Sequence, residues 1–462
     1  MTMEISPQNM VRSGLCIGCG SCVAQTNTPG AKMHFDAYGE LKPHGPIGWF
    51  DRATENLART CPFSPSAKNE DELSTELFPH FTAQTAELGR HTASYVGHVL
   101  ETDFRDQGSS GGMVTWVATE LLRQGLIDGV AHVIASDDPQ TEGRFFKYRI
   151  ARTEQEIREG AKSRYYPIEL SDIIKQIKAV PGRYAVVGIP CFIKAIHLLR
   201  FEDPVLRERI RFTLGLFCGH MKSARFVESF AWQMNVPVND VSKVEFRYKD
   251  SNRPANWYNA MLTLKNGQRI NKDWWHLADG DWGAGFFMNS ACNFCDDVVA
   301  ETADISFGDA WVEPYASDGR GTNVVVVRSP EIEKLLRGGM KKERLQLTEV
   351  NGDFVAKTQA AGFRQRREGL AYRLTWPRKG IMPVKRVAPD AKTLTRHRKL
   401  IYKIRYLISK WSHRVFNFAR RMQRPNFYIN WARLVISIYH GFAYHKGKPT
   451  EMIRRYKEFK RS

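Results

Sequence analysis

The chain has 462 residues, of which 42% are hydrophobic, 25% charged and 11% aromatic. This composition excludes a largely disordered chain, and at roughly 150 residues per domain the length predicts about three units. The formal net charge is +19, but residues 385–462 hold 21 Lys and Arg against three acidic residues, a net of +18. The basic character therefore belongs to a tail, and nucleic acid is not the expected partner.

The N-terminus gives no sign of export. Met1 to Leu15 contain no apolar run of the kind that forms a signal-peptide core, and no uncharged apolar stretch reaches the roughly 18 residues of a spanning helix. We therefore expect a cytoplasmic protein with reduced cysteines.

The most specific motif lies near the start of the chain. Cys16, Cys19 and Cys22 form C-x2-C-x2-C with glycines between them, and Cys61 precedes a proline. This spacing is typical of ferredoxin-like four-iron four-sulfur (4Fe-4S) sites, and Thr26 stands where two-cluster ferredoxins carry a fourth cysteine. We predict one cluster on these four thiolates, in a ferredoxin-like domain over residues 1–66 followed by a linker over 67–92. Zinc and unligated thiols are the alternatives.

From about Tyr95 the pattern becomes an alternation of strands and helices. A helix is predicted over 113–124 and a buried strand over 129–135, then a strand over 184–189, a helix to 199 and a strand over 212–217. Short strands around Asn266-Gly267, within 241–271, predict a hairpin, and further strands are expected over 303–307 and 323–328. The fold class predicted is α+β or α/β, with a mixed α/β module.

A glycine-serine turn precedes the helix at 113. It consists of Gly108, Ser109, Ser110, Gly111 and Gly112. Unpaired amides and the positive end of the helix dipole favour an anion there, and glycines let a phosphate or flavin ring come close. The spacing matches neither the Rossmann nor the P-loop motif, so a plain helix cap is the alternative.

Four further cysteines are dispersed along the chain. Cys191 and Cys218 follow apolar runs predicted as strands, and Cys292 and Cys295 form C-x2-C. Strand ends are where sites are built, so these four residues could form a second thiolate site. The alternative is that Cys191 and Cys218 are buried thiols and only the C-x2-C pair binds anything. His220, close to Cys218, is a candidate proton donor to a substrate, with a structural histidine as the alternative.

The basic tail, residues 385–462, predicts helices. Between Leu400 and Phe418 the apolar residues fall on one arc of roughly 120°, flanked by Lys and Arg, and a second apolar segment spans 426–445. The apolar face could pack on the main body, lie on an anionic membrane at the inner face as a peripheral attachment, or bind an acidic protein or nucleic acid.

Several motifs occur together in one order. They are residues 108–135, Ser163-Arg164-Tyr165, Gly188-Ile189-Pro190-Cys191, Gly215-Leu216-Phe217-Cys218, Cys292-x2-Cys295 and residues 305–311 (ISFGDAW). Together they resemble the coenzyme F420 hydrogenase/dehydrogenase beta-subunit family over about residues 93 to 345, with N- and C-terminal parts at 93–172 and 173–384.

The resemblance implies an iron-sulfur flavoprotein oxidoreductase with FAD in the α/β module. It implies electron transport between ferredoxin, or a partner subunit, and a small organic substrate through two 4Fe-4S clusters. By this resemblance the glycine-serine turn, Ser163, Arg164 and Tyr165 contact the flavin, and Cys191, Cys218, Cys292 and Cys295 bind the second cluster. A non-catalytic electron-relay subunit and a reductase of cell-envelope or polysaccharide synthesis are the alternatives.

The sequence departs from the family pattern at two positions. Phe192 stands where the family often has Gln, and Arg164 where it often has Lys. Both positions lie near candidate cofactor residues, so the resemblance predicts the cofactors better than it predicts the substrate or the use of coenzyme F420.

Overall fold

A computed structural model of the chain describes residues 3–81 and 84–444. The N-terminal part, residues 3–66, is called the head here. It carries short helices around one two-stranded hairpin. Its elements are α1 (Pro7–Arg12), α2 (Ser21–Ala24), β1 (Lys32–Phe35), β2 (Leu41–His44), α3 (Ile47–Phe50) and α4 (Glu55–Thr60).

The connection from the head, predicted as a linker over 67–92, contains a packed helix. The Asn69 side chain caps a helix by accepting from the Glu72 amide, and the Asn69 amide donates in turn to the Glu72 carboxylate, which is the reciprocal capping box that starts helices. Glu70 on this helix is buried. The elements are α5 (Glu70–Leu77), β3 (Gln84–Thr85) and β4 (Gly89–Arg90).

The remaining chain to residue 384, called the body, is a mixed α/β structure, as predicted. Its first part supplies β5 (Ala93–Val99), α6 (Phe104–Gln107), α7 (Met113–Arg123), β6 (Gly129–Ala135), α8 (Pro139–Glu142), β7 (Phe146–Ala151), α9 (Glu154–Glu159) and α10 (Ser171–Ala179). Its second part supplies β8 (Tyr184–Gly188), α11 (Pro190–Glu202), α12 (Pro204–Arg209), β9 (Ile210–Leu216), α13 (Arg225–Gln233), β10 (Val241–Tyr248), β11 (Asn259–Leu264), β12 (Arg269–Asp273), β13 (Ile305–Asp309), β14 (Asn323–Val327), α14 (Pro330–Lys341), β15 (Leu345–Glu349), α15 (Gly352–Thr358), α16 (Ala360–Arg366) and α17 (Glu368–Leu374).

The main sheet runs in the order β15-β5-β14-β13-β9-β8-β6-β7. Its central strands β13, β9, β8 and β6 are parallel, and antiparallel strands extend it on both sides. The carboxyl ends of the parallel strands therefore meet at one edge of the sheet, which is where open α/β sheets bind ligands. Both halves of the body contribute strands, so the boundary predicted near residue 172 crosses one continuous sheet.

A separate sheet of β10, β11 and β12 confirms the predicted hairpin. Its turn contains Gly267 with a positive φ of 85°. The predicted strand ends shift by one or two residues elsewhere. The strand expected over 184–189 ends at Gly188, because Ile189 is the N-cap of α11 and Pro190 opens that helix.

The tail forms two long helices, α18 (Arg396–Arg421) and α19 (Pro425–Ala443). Ile401, Ile408 and Phe416 of α18 are buried in a cluster with residues of the body. Packing on the body, one of the open alternatives, is therefore observed for part of the apolar arc. The basic residues from position 445 onward lie outside the described part of the chain. Within residues 3–81 and 84–444 no helix combines the length and apolarity needed to cross a bilayer.

Candidate functional site

The four head cysteines lie close together, and we call them the head quartet. Cys22 lies within the short helix α2, Cys19 lies two residues before that helix, and Cys61 caps the end of α4. Burial raises the pKa of the Cys22 thiol, and the neighbouring Cys16, Cys19 and Cys61 raise it further. Cysteines whose ionised forms would repel one another in this way lie close enough together to share a cationic group.

Gly20 shows why the motif needs glycine. Its φ is +84°, and a Cβ there would lie 2.5 Å from an oxygen of Glu169 in the body. Next to it, the Leu170 amide donates to the Cys19 carbonyl at 2.9 Å. The motif is therefore held against the body by backbone contacts that a larger residue would block.

The other four cysteines also come together, and we call them the body quartet. Cys191 lies in the first turn of α11 and Cys218 follows β9, both at the carboxyl edge of the sheet. Cys292 lies within a 3-10 turn, Ser290–Phe294, and Cys295 follows it. Burial raises the pKa of Cys191, as do Cys295, Cys218 and Cys292 in turn and, after them, Cys19 of the head quartet. The two quartets are thus neighbours.

Arg366 lies against the body quartet and donates hydrogen bonds to it. Its guanidinium is buried and donates to Cys295 Sγ at 2.6 Å and to the carbonyls of Cys218 and Gly219 at 2.6 and 2.8 Å. Although burial alone would lower the pKa of Arg366, these cysteines raise it above its ordinary value. A fixed buried cation beside three of the four cysteines suits the negative charge of an iron-sulfur cluster.

The donor sets of both quartets fit 4Fe-4S clusters. Each supplies four cysteine sulfurs, the ligand set of such clusters, and the Met221 amide donates to Cys292 Sγ at 3.3 Å. Cys19 Sγ lies 3.1 Å from the hydroxyl of Ser21.

A cavity of about 1010 Å³ opens at the carboxyl edge of the sheet beside the body quartet. This volume suits a large organic ligand. The residues predicted to contact cofactor or substrate that line it are Gly108, Ser109, Ser110, Gly112, Ser163, Arg164, Tyr165, Cys218 and His220. Gly111, also predicted, lies behind the wall, where a Cβ would meet Asn323 and the Gly97 carbonyl.

The glycine-serine turn is fixed at the start of α7. Gly112 is the N-cap with φ +85°, and a Cβ there would lie 2.6 Å from the Phe104 carbonyl. Ser110 donates to the Thr322 carbonyl at 3.0 Å, and the Ser163 amide donates to Ser109 Oγ at 2.8 Å. The turn and the Ser163 segment therefore form one wall of the cavity.

The cavity is strongly basic. Among the described residues its lining includes two acids, Asp281 and Asp309, against the following Lys and Arg: Lys162, Arg164, Lys222, Arg247, Lys357, Arg364, Arg398 and Arg405. Both acids are already paired, Asp309 with Arg247 at 2.8 Å and Asp281 with His440 at 2.7 Å. The lining therefore favours an anionic ligand.

Arg164 is positioned for such a ligand. It makes one hydrogen bond, to the Ala161 carbonyl at 3.2 Å, and its Nε is buried without a partner. Burial lowers the pKa of Arg164 to about 10, which leaves it charged at neutral pH. A guanidinium with free donors beside a helix N-terminus fits the diphosphate of FAD.

His220 lies on the same cavity, stacked on Trp282 with ring centroids 4.3 Å apart. Both ring nitrogens are buried without a protein partner. Burial, followed by the charges of Lys222 and Arg405, holds the pKa of His220 well below its ordinary value. The ring is therefore neutral at neutral pH. In the predicted role as a proton donor, the proton would come from a neutral ring and not from a charged imidazolium.

Several site residues were not anticipated. Arg366 stands in a basic run, Arg364-Gln365-Arg366-Arg367, which nothing in its spacing ties to cysteines far away in sequence. Arg405, Tyr439 and His440 of the tail also line the cavity. The contacts of the three tail residues were not predictable because they depend on how the tail folds back on the body.

Comparison with known proteins gives two matching family models. The coenzyme F420 hydrogenase/dehydrogenase beta subunit N-terminal model matches residues 94–175, and the C-terminal model of the same description matches residues 182–353. Together they match more than half of the chain. The strands of the main sheet fall within these two ranges, apart from the first residue of β5.

Two curated proteins of Methanocaldococcus jannaschii are similar. The coenzyme F420-dependent sulfite reductase is 22% identical over 361 residues, which cover 74% of this chain and 48% of that protein. Uncharacterized protein MJ1349 is 26% identical over 230 residues, covering 48% of this chain and 56% of that one. The chain thus spans about half the length of the curated relatives it matches. A solved chain of the F420-reducing NiFe hydrogenase complex from Methanosarcina barkeri gives a TM-score of 0.47 at 17% identity, over 62% of this chain and 93% of that chain.

Proposed function

The chain belongs to the coenzyme F420 hydrogenase/dehydrogenase beta-subunit family, a family of oxidoreductase subunits, and on that premise we propose that it is an iron-sulfur flavoprotein. It passes electrons between a redox partner, either ferredoxin or a partner subunit, and a small organic substrate. Two 4Fe-4S clusters and one FAD are the cofactors. Use of coenzyme F420 as that substrate is one case of the proposal.

One spatial relation carries the proposal. The cavity that includes the glycine-serine turn also includes Cys218 of the body quartet, and Cys191 of that quartet lies within electrostatic reach of Cys19 of the head quartet. The head quartet, the body quartet and the cavity therefore lie in this order in space, each next to the one before it. When bound, FAD exchanges electrons in pairs with an organic molecule and singly with iron-sulfur clusters.

The chain's own residues have distinct parts in this proposal. The α7 N-terminus and Arg164 hold the cofactor's diphosphate, and the two quartets hold the clusters, with Arg366 balancing the charge of the second. Tyr165 and Trp282, whose rings lie 4.7 Å apart, shape the inner wall. His220 is the candidate group for handling a substrate proton, because both its nitrogens are free to bond a ligand.

The experiment that tests the proposal follows flavin reduction by ferredoxin under anaerobic conditions. We expect Cys22→Ser to slow reduction at least tenfold while FAD stays bound, because the head quartet would be incomplete. Thr26→Ala is the matched control, since Thr26 lies in the same segment but outside the quartet. Equal reduction rates in Cys22→Ser and the unmodified protein would contradict electron entry through the head.

Reoxidation of the reduced flavin separates the alternatives. An enzyme is reoxidised by a small molecule faster than by buffer, whereas a non-catalytic relay subunit needs a protein partner. A screen of small acceptors should include coenzyme F420 and sugar-nucleotide precursors of cell-envelope polysaccharides, which test the remaining alternative directly. Reoxidation only by a partner protein would assign the chain to the relay class.

A further inference from the structure

The outer side of the two tail helices carries an uncovered apolar row. Leu400, Leu407, Trp411 and Phe418 on α18 are spaced by seven, four and seven residues, so they lie on one side of the helix. Leu407 is 49% exposed, Trp411 46% and Phe418 53%. The residues that anchor α18 to the body, including Ile401 and Ile408, are buried beside this row. The predicted apolar arc is therefore divided, one part packed and one part open.

Helix α19 continues the row. Phe427, Leu434 and Ile438 follow the same spacing of seven and four residues, and all are exposed, Leu434 to 61%. The rings of Phe418 and Phe427 meet across the turn between the helices at 5.4 Å. The two rows thus join into one surface, which we call the apolar stripe: Leu400, Leu407, Trp411, Phe418, Phe427, Leu434 and Ile438.

A row of cations lies beside the stripe on α18. Lys403, Lys410, Arg414 and Arg421 repeat the spacing of seven, four and seven, offset by three residues and hence by about 60° around the helix. All four are exposed. By sequence neither helix contains an acidic residue. The apolar stripe and the basic row run parallel along α18. Together they complement a partner surface that has an apolar interior and an anionic edge.

We propose that the stripe and its basic row form a binding surface for an anionic phospholipid membrane. The helices lie in the plane of the interface, with the stripe side chains among the acyl chains and the basic row at headgroup phosphates. Trp411 belongs to the stripe, and indole side chains partition to the headgroup level of membranes. This surface faces away from the body core, so it is independent of the proposed redox function.

Vesicle flotation with the purified full-length protein tests the proposal. We expect binding to phosphatidylcholine vesicles that contain phosphatidylglycerol, weak binding to phosphatidylcholine alone, and release at high salt. The triple variant Lys403→Gln/Lys410→Gln/Arg414→Gln should lower the affinity for anionic vesicles on the order of 100-fold, since each cation near the surface contributes roughly a fivefold factor. Leu407→Gln/Trp411→Gln should weaken binding to the same vesicles at least tenfold.

Matched controls come from outside the tail. Lys341→Gln/Lys342→Gln removes exposed charge, and Ile47→Gln removes an exposed apolar side chain, and both should bind vesicles normally. Unchanged circular dichroism in every variant shows that the fold is kept. Three results would overturn the proposal: no vesicle binding by the unmodified protein, equal binding by the tail variants and the controls, or a stripe-dependent dimer in solution that does not bind vesicles.

Discussion

At the scale of single residues, ligand binding in the cavity is expected to depend on a few buried cations that keep N–H donors without a partner in the protein. Arg164 is the sharpest case, because its sequence neighbours indicate a cofactor contact while its structure shows a buried Nε without a partner. Sequence alone identifies this residue through the family resemblance. It does not identify Arg366, whose role exists only because α16 lies against the body quartet.

Arg164→Gln should weaken FAD binding. Hydrogen bonds to a charged group contribute about 1.5–3 kcal/mol, so the dissociation constant should rise roughly 10- to 100-fold. Titration of the apoprotein with FAD, followed by flavin fluorescence quenching, measures this. Arg152→Gln is the control, because Arg152 lies on the neighbouring surface and bonds the Asp128 carbonyl. Equal affinities in the two variants would contradict the assigned contact.

His132, on the cavity wall, should make stability depend on pH. Burial, together with the charges of Arg149 and Arg164, lowers its pKa to about 4. Since the unfolded value is about 6.5, the unfolded state binds the extra proton, and stability present above pH 6.5 is lost as the pH falls towards 4. His132→Asn should remove roughly 3 kcal/mol of this loss, by urea unfolding at pH 7 and pH 4. The exposed His80→Asn is the control, and parallel pH profiles in both variants would refute the assignment.

At the scale of elements, local patterns located the helices and strands that position the site, and contacts between elements decided the rest. Helix α7 and strand β6 were predicted within one residue, because apolar periodicity and a glycine turn define both. The segment predicted as a linker over 67–92 from its polar composition instead contains α5 (Glu70–Leu77). Its buried residues are Leu73, Ser74 and Glu70, and the burial of the Glu70 carboxylate is explained by its ionic partners on distant elements.

Helix α5 should therefore be essential to stability. Glu70 lies 3.3 Å from Lys194 of α11 and 3.7 Å from Arg386, with all three side chains largely buried. Glu70→Gln removes the ionic partner of the buried Lys194, while Arg386 keeps its pair with Glu301, and should lower the free energy of unfolding by about 3–5 kcal/mol. Glu76→Gln on the same helix breaks an exposed pair with Lys68 and should cost under about 1 kcal/mol. Chemical denaturation compares the two, and similar losses would show that the buried network contributes little.

At the scale of the whole molecule, head and body share one hydrophobic core. Leu15 and Leu57 of the head pack in the same cluster as Ile174 and Ile193 of the body. The cysteine spacing predicts the head as a module, but the sequence does not show that this module has no separate interior. The sequence also does not distinguish the two apolar faces of the tail, because the residues packed on the body and the exposed residues are of the same types.

The shared core predicts one cooperative unfolding transition. Ile174→Ala, a change in the body, should lower stability by about 2–5 kcal/mol and shift the loss of visible cluster absorbance together with the loss of helical circular dichroism. A loss of cluster absorbance in two steps, one of them unshifted by Ile174→Ala, would mean that the head unfolds independently.

The most direct test of the central claim is the cofactor content of the anaerobically purified full chain. Iron, acid-labile sulfide and flavin should be measured on one sample, together with its visible spectrum. Two four-iron clusters and one flavin predict about eight iron, about eight sulfide and about one FAD per chain. Zinc or no metal, with no flavin, in a freshly prepared and folded sample would contradict the account.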